Sequence, residues 1–341
     1  MHSRMRAAGD NAASVPPRAS TINDVARVAG VSRQTVTRAL NDMPDVSAAT
    51  RERVIAAARV VNYRPNRAAQ GLVRGREVAV GLVVSDLRNP YYPELASELT
   101  RKAASRGWSM VLCDLGAEPA DARRRLDTVA RRVDAVVGHV TPGQWKGALA
   151  SVPTVILDGS PDDVDHAVIA FDYEAGIRAA LDHLVTSGRS RIAMVDAQVP
   201  PSSRRLIYRR VLQERGLHHS PASELVAPDT HEGGIDAAAQ IRAQYPCADA
   251  ALVFNDVMAV GMLKGFTRGH VRVPQDVAVV GIDGLDIGTL VTPELTSIAI
   301  DKAALAEAAV ELVAALLDGV TAPDARLRRS ARLSLVLRES A

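Results

Sequence analysis

Residues 21–41 read TINDVARVAGVSRQTVTRALN. Ile22, Val25, Ala26 and Ala29 recur at helical spacing, and Thr21 with Asp24 forms a cap pattern ahead of them. Gly30 breaks that helix. Ser32 is placed to cap a second one, whose inner face is Val36, Ala39 and Leu40. The outer face of the second helix carries Arg33, Gln34, Thr37 and Arg38. Two short helices joined by a glycine turn, the second polar on one side, form the helix-turn-helix pattern. An α-helix fits the major groove. Arg matches guanine O6/N7 and Gln matches adenine N6/N7, each through two hydrogen bonds. The competing reading of the same residues is a surface three-helix bundle with solvated arginines.

Working outward, Pro44 marks a turn and Ser47 caps a third helix with Val54, Ile55, Ala58 and Val61 inward. Thr21, Ser32, Asn41, Ser47 and Thr50 are small donors near helix ends, which suits phosphate contacts. Residues 1–20 are small, polar and Pro-containing and read as a disordered tail. Residues 62–76, NYRPNRAAQGLVRGR, read as a basic linker able to form one short helix after Pro65.

The texture changes at Val78. VAVGLVV at 78–84 is a continuous apolar run, as in a strand buried on both faces. Similar runs fall at 109–113, 133–137, 153–157, 168–171, 191–195, 250–254 and 277–282. Helical periodicity lies between them at 93–106, 174–187, 203–215 and 256–268. Alternating strands and helices predict a parallel βαβ body, and its length predicts two α/β lobes. In such folds ligands sit at the C-terminal ends of the strands. Asp86, Asn89, Asp158, Asn255 and Asp283 all follow strand runs, with Tyr91 and Tyr92 available as a stacking face. Ordinary capping and turn roles compete for several of these positions: Asn89-Pro90 reads equally as a turn, and Asp256 and Asp286 as caps.

Charge divides the same way. The chain of 341 residues has a formal net charge of +2, but residues 1–76 hold 13 Arg and five acids, a net +8 against −6 for the rest. A basic end joined to an acidic body suggests that one end meets a polyanion. Arg outnumbers Lys 37 to 4, so position carries more weight than abundance. No run reaches the roughly 18–20 apolar residues of a membrane helix. The first twenty residues lack the apolar core of a secretory signal, so a cytoplasmic, membrane-free protein is expected. Cys113 and Cys247 stand alone, and neither Asp162, Asp163, Asp165 and His166 nor His218, His219 and His231 show ligand spacing, so no metal and no cofactor are expected. No nucleophile–base pairing is visible, and the chain is read as a non-enzyme.

The sequence resembles the LacI/GalR family of bacterial regulators. The resemblance is carried by residues 21–41, VSAATRERVIAAARVVNYRPN at 46–66 and VGLVVSDLRNPYYPELA at 80–96. It continues in FNDVMAVGML at 254–263, VPQDVAVVGID at 273–283 and PELTSI at 293–298. It implies a small all-α helix-turn-helix domain, residues 21–65, on an α/β periplasmic-binding-protein-like core of two parallel-sheet lobes, residues 77–341. The lobes are expected at about 77–171 with 300–330, and about 172–299 with 331–341. The resemblance implies that Arg33, Gln34 and Arg38 read a palindromic double-stranded operator. Residues 66–76 form the hinge, whose residues 66–72 would fold on operator. There Leu72 matches a minor-groove wedge, and Tyr63, Asn66, Arg67 and Ala69 join it at the DNA. A homodimer supplies two such modules.

The resemblance also implies effector contacts at Asp86, Asn89, Arg204, Asn255 and Asp283, with Arg205 competing for the role of Arg204. Departures from the family pattern are Gly159 after Asp158, Gly284 after Asp283, Ile207 after the arginines and the absence of an aromatic at 229–231. The expected effector is a sugar or sugar derivative, with a nucleoside or other polar metabolite as the alternative. A small-molecule binding protein without a regulatory role is the competing class. A third, an enzyme of sugar or nucleotide metabolism, would need a nucleophile–base pair that the sequence lacks.

Overall fold

The computed structural model describes residues 21–40, 43, 45–61, 77–116, 119–139, 149, 152–160, 163, 166–198, 200–322 and 324–341. The expected tail, Asn41, the linker positions Tyr63, Asn66, Arg67, Ala69 and Leu72, and the loop residues Asp162 and Asp165 lie outside these. The described residues fall into two compact units, one before and one after the linker.

Among the described residues, the first unit holds three helices, α1 (Ile22–Ala29), α2 (Arg33–Leu40) and α3 (Ala48–Val60). Thr21 caps α1 by donating its backbone N–H and its hydroxyl to Asp24 Oδ2 at 2.9 and 2.8 Å. These bonds, with Arg27, hold the Asp24 carboxyl down at about 2. Gly30 closes α1 at φ +63°, the left-handed conformation that glycine adopts without Cβ strain. Ser32 Oγ accepts from Thr35 N–H at 3.0 Å and Ser47 Oγ from Thr50 N–H at 3.3 Å, so both serines cap as their positions predict. The core is Val25, Ala29, Val36, Ala39, Val54, Ala57 and Ala58. Ile55, expected inward, is 38% exposed, and Ala57 packs in its place. With so small a core, helix caps worth ~1 kcal/mol each are a substantial share of stability.

Among its described residues, the second unit has eleven strands in the order β2-β1-β3-β4-β5-β11-β10-β9-β8-β6-β7. In the first lobe, β1 (Ala79–Val84), β2 (Ser109–Asp114), β3 (Ala135–Gly138), β4 (Thr154–Leu157) and β5 (Ala167–Asp172) are all parallel. In the second, β6 (Ile192–Asp196), β7 (Glu224–Val226), β8 (Ala250–Val253), β9 (Ala278–Asp283) and β10 (Thr296–Ile300) are parallel as well. Strand β11 (Arg328–Val336) serves both lobes. Its residues 328–332 pair parallel with β5, and residues 333–336 pair antiparallel with β10.

Helices α4 (Tyr91–Ala104), α5 (Pro119–Ala130), α6 (Tyr173–Thr186), α7 (Ser203–Glu214), α8 (His231–Gln244), α9 (Asp256–Arg268) and α10 (Lys302–Leu317) connect the strands. The chain crosses between the lobes after Asp172, after Ile300 and within β11. Helix α10 returns to the first lobe and packs on α4.

One buried group ties the second lobe together. The Asp256 carboxylate accepts from Ser297 Oγ at 2.6 Å and from Leu285 N–H at 2.7 Å, joining α9 to β10 and to the loop after β9. Gly281 makes room for it, since a Cβ there would stand 2.1 Å from Asp256 Oδ1. Burial pushes the Asp256 carboxyl up to about 7 against the pull of those two donors. The folded state therefore holds a proton that the unfolded chain releases near pH 4, and this group's contribution to stability falls as pH rises from about 4 to about 7. Urea denaturation at pH 5 and pH 7.5 is expected to show wild type losing stability at the higher pH, and Asp256→Asn losing less. An equal loss in both proteins would remove Asp256 as a source.

Candidate functional site

In the first unit, Arg33, Gln34 and Arg38 are exposed on α2. Thr37 is half-buried, with its hydroxyl donating to the Arg33 carbonyl at 3.1 Å. Side chains reaching out from an otherwise packed helix are what base-edge reading requires. The cap residues Thr21, Ser32, Ser47 and Thr50 lie at helix starts, where backbone N–H groups and the helix dipole favour an anion.

In the second unit, side chains from both lobes converge between the C-terminal strand ends. The Arg204 guanidinium, at the start of α7, lies between two rings, 4.2 Å from the centroid of Tyr173 and 4.2 Å from that of Phe254. Its Nη2 donates to Tyr173 Oη at 2.6 Å, and that hydroxyl donates onward to Asp158 Oδ2 at 2.8 Å. Among the described residues, Arg204 Nε is buried with no hydrogen-bond partner.

Burial raises the Asp158 carboxyl, with Arg204 and Tyr173 opposing. Burial first, then the neighbouring Asp256, lifts Asp283 well above the carboxylate range, with Arg204 and Lys302 opposing. Asp158, the residue after β4, and Asp283, the last of β9, have φ +54° and +118°, conformations that cost a residue with a Cβ. Such strain clusters where a side chain must be aimed.

A wall of rings completes the cluster. Tyr91 Oη lies 3.1 Å from His139 Nε2, and Tyr92 Oη is 2.6 Å from Ser85 Oγ. His139 stands edge-on to Tyr91, Tyr92 and Phe171, which continues to Tyr173. Burial, helped by the charge of Arg204, lowers His139 to about 4, so the ring is neutral at pH 7. Across the crossing segment, Lys302 Nζ donates to the carbonyls of Asp283 and Gly284 at 3.0 and 3.1 Å and pairs with Glu94 Oε2 at 3.1 Å. Glu94 Oε1 also accepts from Asp286 N–H at 3.1 Å, linking α4 to the loop after β9.

Several candidates also have local duties. Arg88 grips the Asp86 carboxylate through four bonds of 2.8–3.1 Å and holds it below its usual range. Asn89 Oδ1 accepts from Tyr91 N–H at 3.0 Å, and Asn255 Oδ1 caps α9 through Met258 N–H at 2.9 Å. The two adjacent arginines point to different surroundings. Arg205 turns inward, its Nε 3.0 Å from Asp196 Oδ2, with both side chains nearly or fully buried. His139, Phe171, Tyr173 and Phe254 went unnoticed in the sequence. Each stands at or just beyond the end of an apolar run, the same signal that selected Asp158 and Asp283. Among the described residues no group of three His, Cys, Asp or Glu could hold a metal, and no helix is long and apolar enough to cross a membrane.

A helix-turn-helix module followed by a two-lobed α/β body with a polar, aromatic-walled cleft defines a DNA-binding transcription regulator controlled by a small molecule. Residues 21–66 match the model for bacterial regulatory proteins of the lacI family, and residues 181–341 match that for a periplasmic binding protein-like domain. The ribose operon repressor of Escherichia coli K12 is 31% identical over 319 residues, 91% of this chain and 96% of that protein. A LacI family regulator from Arthrobacter sp. FB24, solved in complex with lactose, is 36% identical with a TM-score of 0.70, over 77% of this chain and 99% of that one. The lac repressor dimer bound to operator and the anti-inducer ONPF is 28% identical with a TM-score of 0.68, over 95% and 99%. The chain belongs to the LacI family.

The two arginines make a paired test. Arg205→Ala leaves the buried Asp196 without its charge partner and is expected to cost about 3 kcal/mol in urea denaturation. Arg204→Ala is expected to cost less, because burial already biases its acidic neighbours Asp158 and Asp283 toward the protonated form. Equal losses would show that Arg204 is structural as well.

Proposed function

We propose that the protein is a homodimeric repressor of the cytoplasm, acting by binding rather than turnover, whose hold on a palindromic operator is set by a sugar or sugar derivative in the cleft. The observation that carries the effector site is Arg204, desolvated between Tyr173 and Phe254 and facing Asp158 and Asp283. A polyhydroxylated ring suits this set. Its hydroxyls donate to carboxylates and accept from a guanidinium, while its C–H face lies against rings. The lactose complex of the 36% identical Arthrobacter regulator supports the same class. Asn255, Tyr91 and Tyr92 border the cluster, with Asp86 and Asn89 further out in the loop after β1.

On the DNA side, Arg33, Gln34 and Arg38 are the proposed readers. Thr21, Ser32, Asn41, Ser47 and Thr50 are proposed for phosphates, and Tyr63, Asn66, Arg67, Ala69 and Leu72 for the hinge and minor groove. Effector and operator are coupled reciprocally, so whichever ligand weakens operator binding must itself bind less tightly on operator.

A thermal-shift panel of mono- and disaccharides, with nucleosides alongside, tests this. A saccharide at a hundredfold excess over its Kd should add about 2.7 kcal/mol of stability. It should also change the affinity for a duplex selected by the protein from a random pool. Arg204→Ala should abolish both responses while keeping duplex binding. A response to nucleosides alone would replace the sugar assignment, and a response intact in Arg204→Ala would displace the site.

A further inference from the structure

Arg38 does not wait on α2 as a loose side chain. Its Nη1 lies 2.8 Å from Asp45 Oδ2, with both side chains about half exposed. The turn that carries Asp45 is pinned from both sides. Met43 N–H donates to the Arg38 carbonyl at 3.1 Å, and the Met43 carbonyl accepts from Arg51 Nη2 at 2.9 Å and from Val46 N–H at 3.3 Å. The turn is thus tied to α2 at Arg38 itself and to α3 through Arg51. Of the other acids described in this module, Asp24 is taken up by Thr21 and Arg27.

An exposed ion pair contributes little to stability, so its effect is to be sought in the arginine it holds. A guanidinium presents five N–H groups in one plane, and Arg loses much rotamer freedom when it docks. A carboxylate on Nη1 leaves the remaining N–H edge free for the O6 and N7 of guanine. The same carboxylate is an acid on a face that meets phosphates.

We propose that Asp45 is a positioning residue for Arg38: it holds the guanidinium by Nη1, presents the open edge to one guanine, and disfavours DNA that lacks a guanine there. The proposal rests on the reading of α2 as the major-groove helix. On operator, the Arg38–guanine bonds offset the repulsion between Asp45 and the backbone. On other sequences the repulsion stands without compensation, so Asp45 lowers general affinity and raises the specificity ratio.

The experiment is selection of a randomised duplex pool by the full-length protein, with sequencing of the bound fraction, for wild type, Asp45→Asn, Asp45→Ser, Arg38→Ala and the Asp45→Asn/Arg38→Ala double variant. Thermal melts confirm folding, and two substitutions at Asp45 guard against one failing to fold. Wild type should prefer a G·C pair at one position of each half-site, and Arg38→Ala should lose that preference. Asp45→Asn should weaken it by roughly fivefold or more at that position alone, within the range of couplings between touching residues. It should also bind a scrambled duplex more tightly, and the double variant should match Arg38→Ala at that position. An unchanged preference in Asp45→Asn overturns the proposal. So does a loss spread over all positions, or one that persists without Arg38. Should Arg38→Ala keep every wild-type preference, the major-groove reading of α2 fails first and the role of Asp45 with it.

Discussion

The nine residues of β11 are divided between two sheets, the first five pairing with β5 and the last four with β10, and the rest of the body follows from that sharing. Strand β5 delivers the chain to one crossing at its C-terminal end, and β10 delivers it to another at its own. Every other strand of each lobe is parallel to one of these two. The C-terminal ends of both sheets must therefore face the crossing segments, and each other. His139, Asp158 and Phe171 are brought to one side of the gap, and Phe254, Asn255 and Asp283 to the other. No local preference of these residues would bring them together. Parallel topology with one reversal at a shared strand does so, and any change of angle between the lobes must pass through the same three crossings.

The electrostatics of the cleft follow from this crowding. Withdrawal from water destabilises any charge that lacks a partner. Arg204 keeps its charge because Tyr173, Asp158 and Asp283 surround it and two rings offer their negative faces. The carboxyls respond the other way, and burial biases Asp158 and Asp283 toward the protonated form. Lys302 adds no free cation, since two carbonyls and Glu94 occupy it. Its position on the crossing segment makes it a strut between the loop after β9 and α4.

How much of this was legible depended on what each element buries. Strands covered on both faces announced themselves as apolar runs, and β1 to β6, β8 and β9 fall on the runs read from the sequence. Strand β7 is three residues long, too short to register. Strand β10 opens with Thr296 and Ser297, which are fully buried but polar, bonded to Ser340 and Asp256. Strand β11 carries Arg328, Arg329 and Arg332, a pattern that reads as loop. In the site, Asp158, Arg204 and Asp283 were legible because polar residues at strand ends and family spacing pointed to the same places. Asn89 and Asn255 show the limit of that signal, because a strand-end amide that starts a helix finds a backbone N–H of its own chain to cap. Arg204 and Arg205 are adjacent, and only the helical step of about 100° separates cleft from core. The rings were missed because Phe171, Tyr173 and Phe254 look like ordinary core residues until the sheet directions bring them together.

The charge asymmetry also changes meaning once pairing is seen. A net +8 over residues 1–76 suggests a surface bristling with free arginines. In the described part of that segment, Arg27 pairs with Asp24, Arg38 with Asp45, and Arg51 binds the Met43 carbonyl. The salt dependence of DNA binding counts phosphates neutralised and counterions released, not formal charge. An arginine committed to a carboxylate on its own module releases fewer counterions than its charge implies. The count of 13 arginines therefore sets an upper bound on the electrostatic, sequence-independent share of binding, and pairing with the module's own acids lowers it toward the net +8. A module that ties down part of its positive charge gives up general affinity for polyanions. For a regulator that must find one duplex among many, that loss falls hardest on the wrong sites.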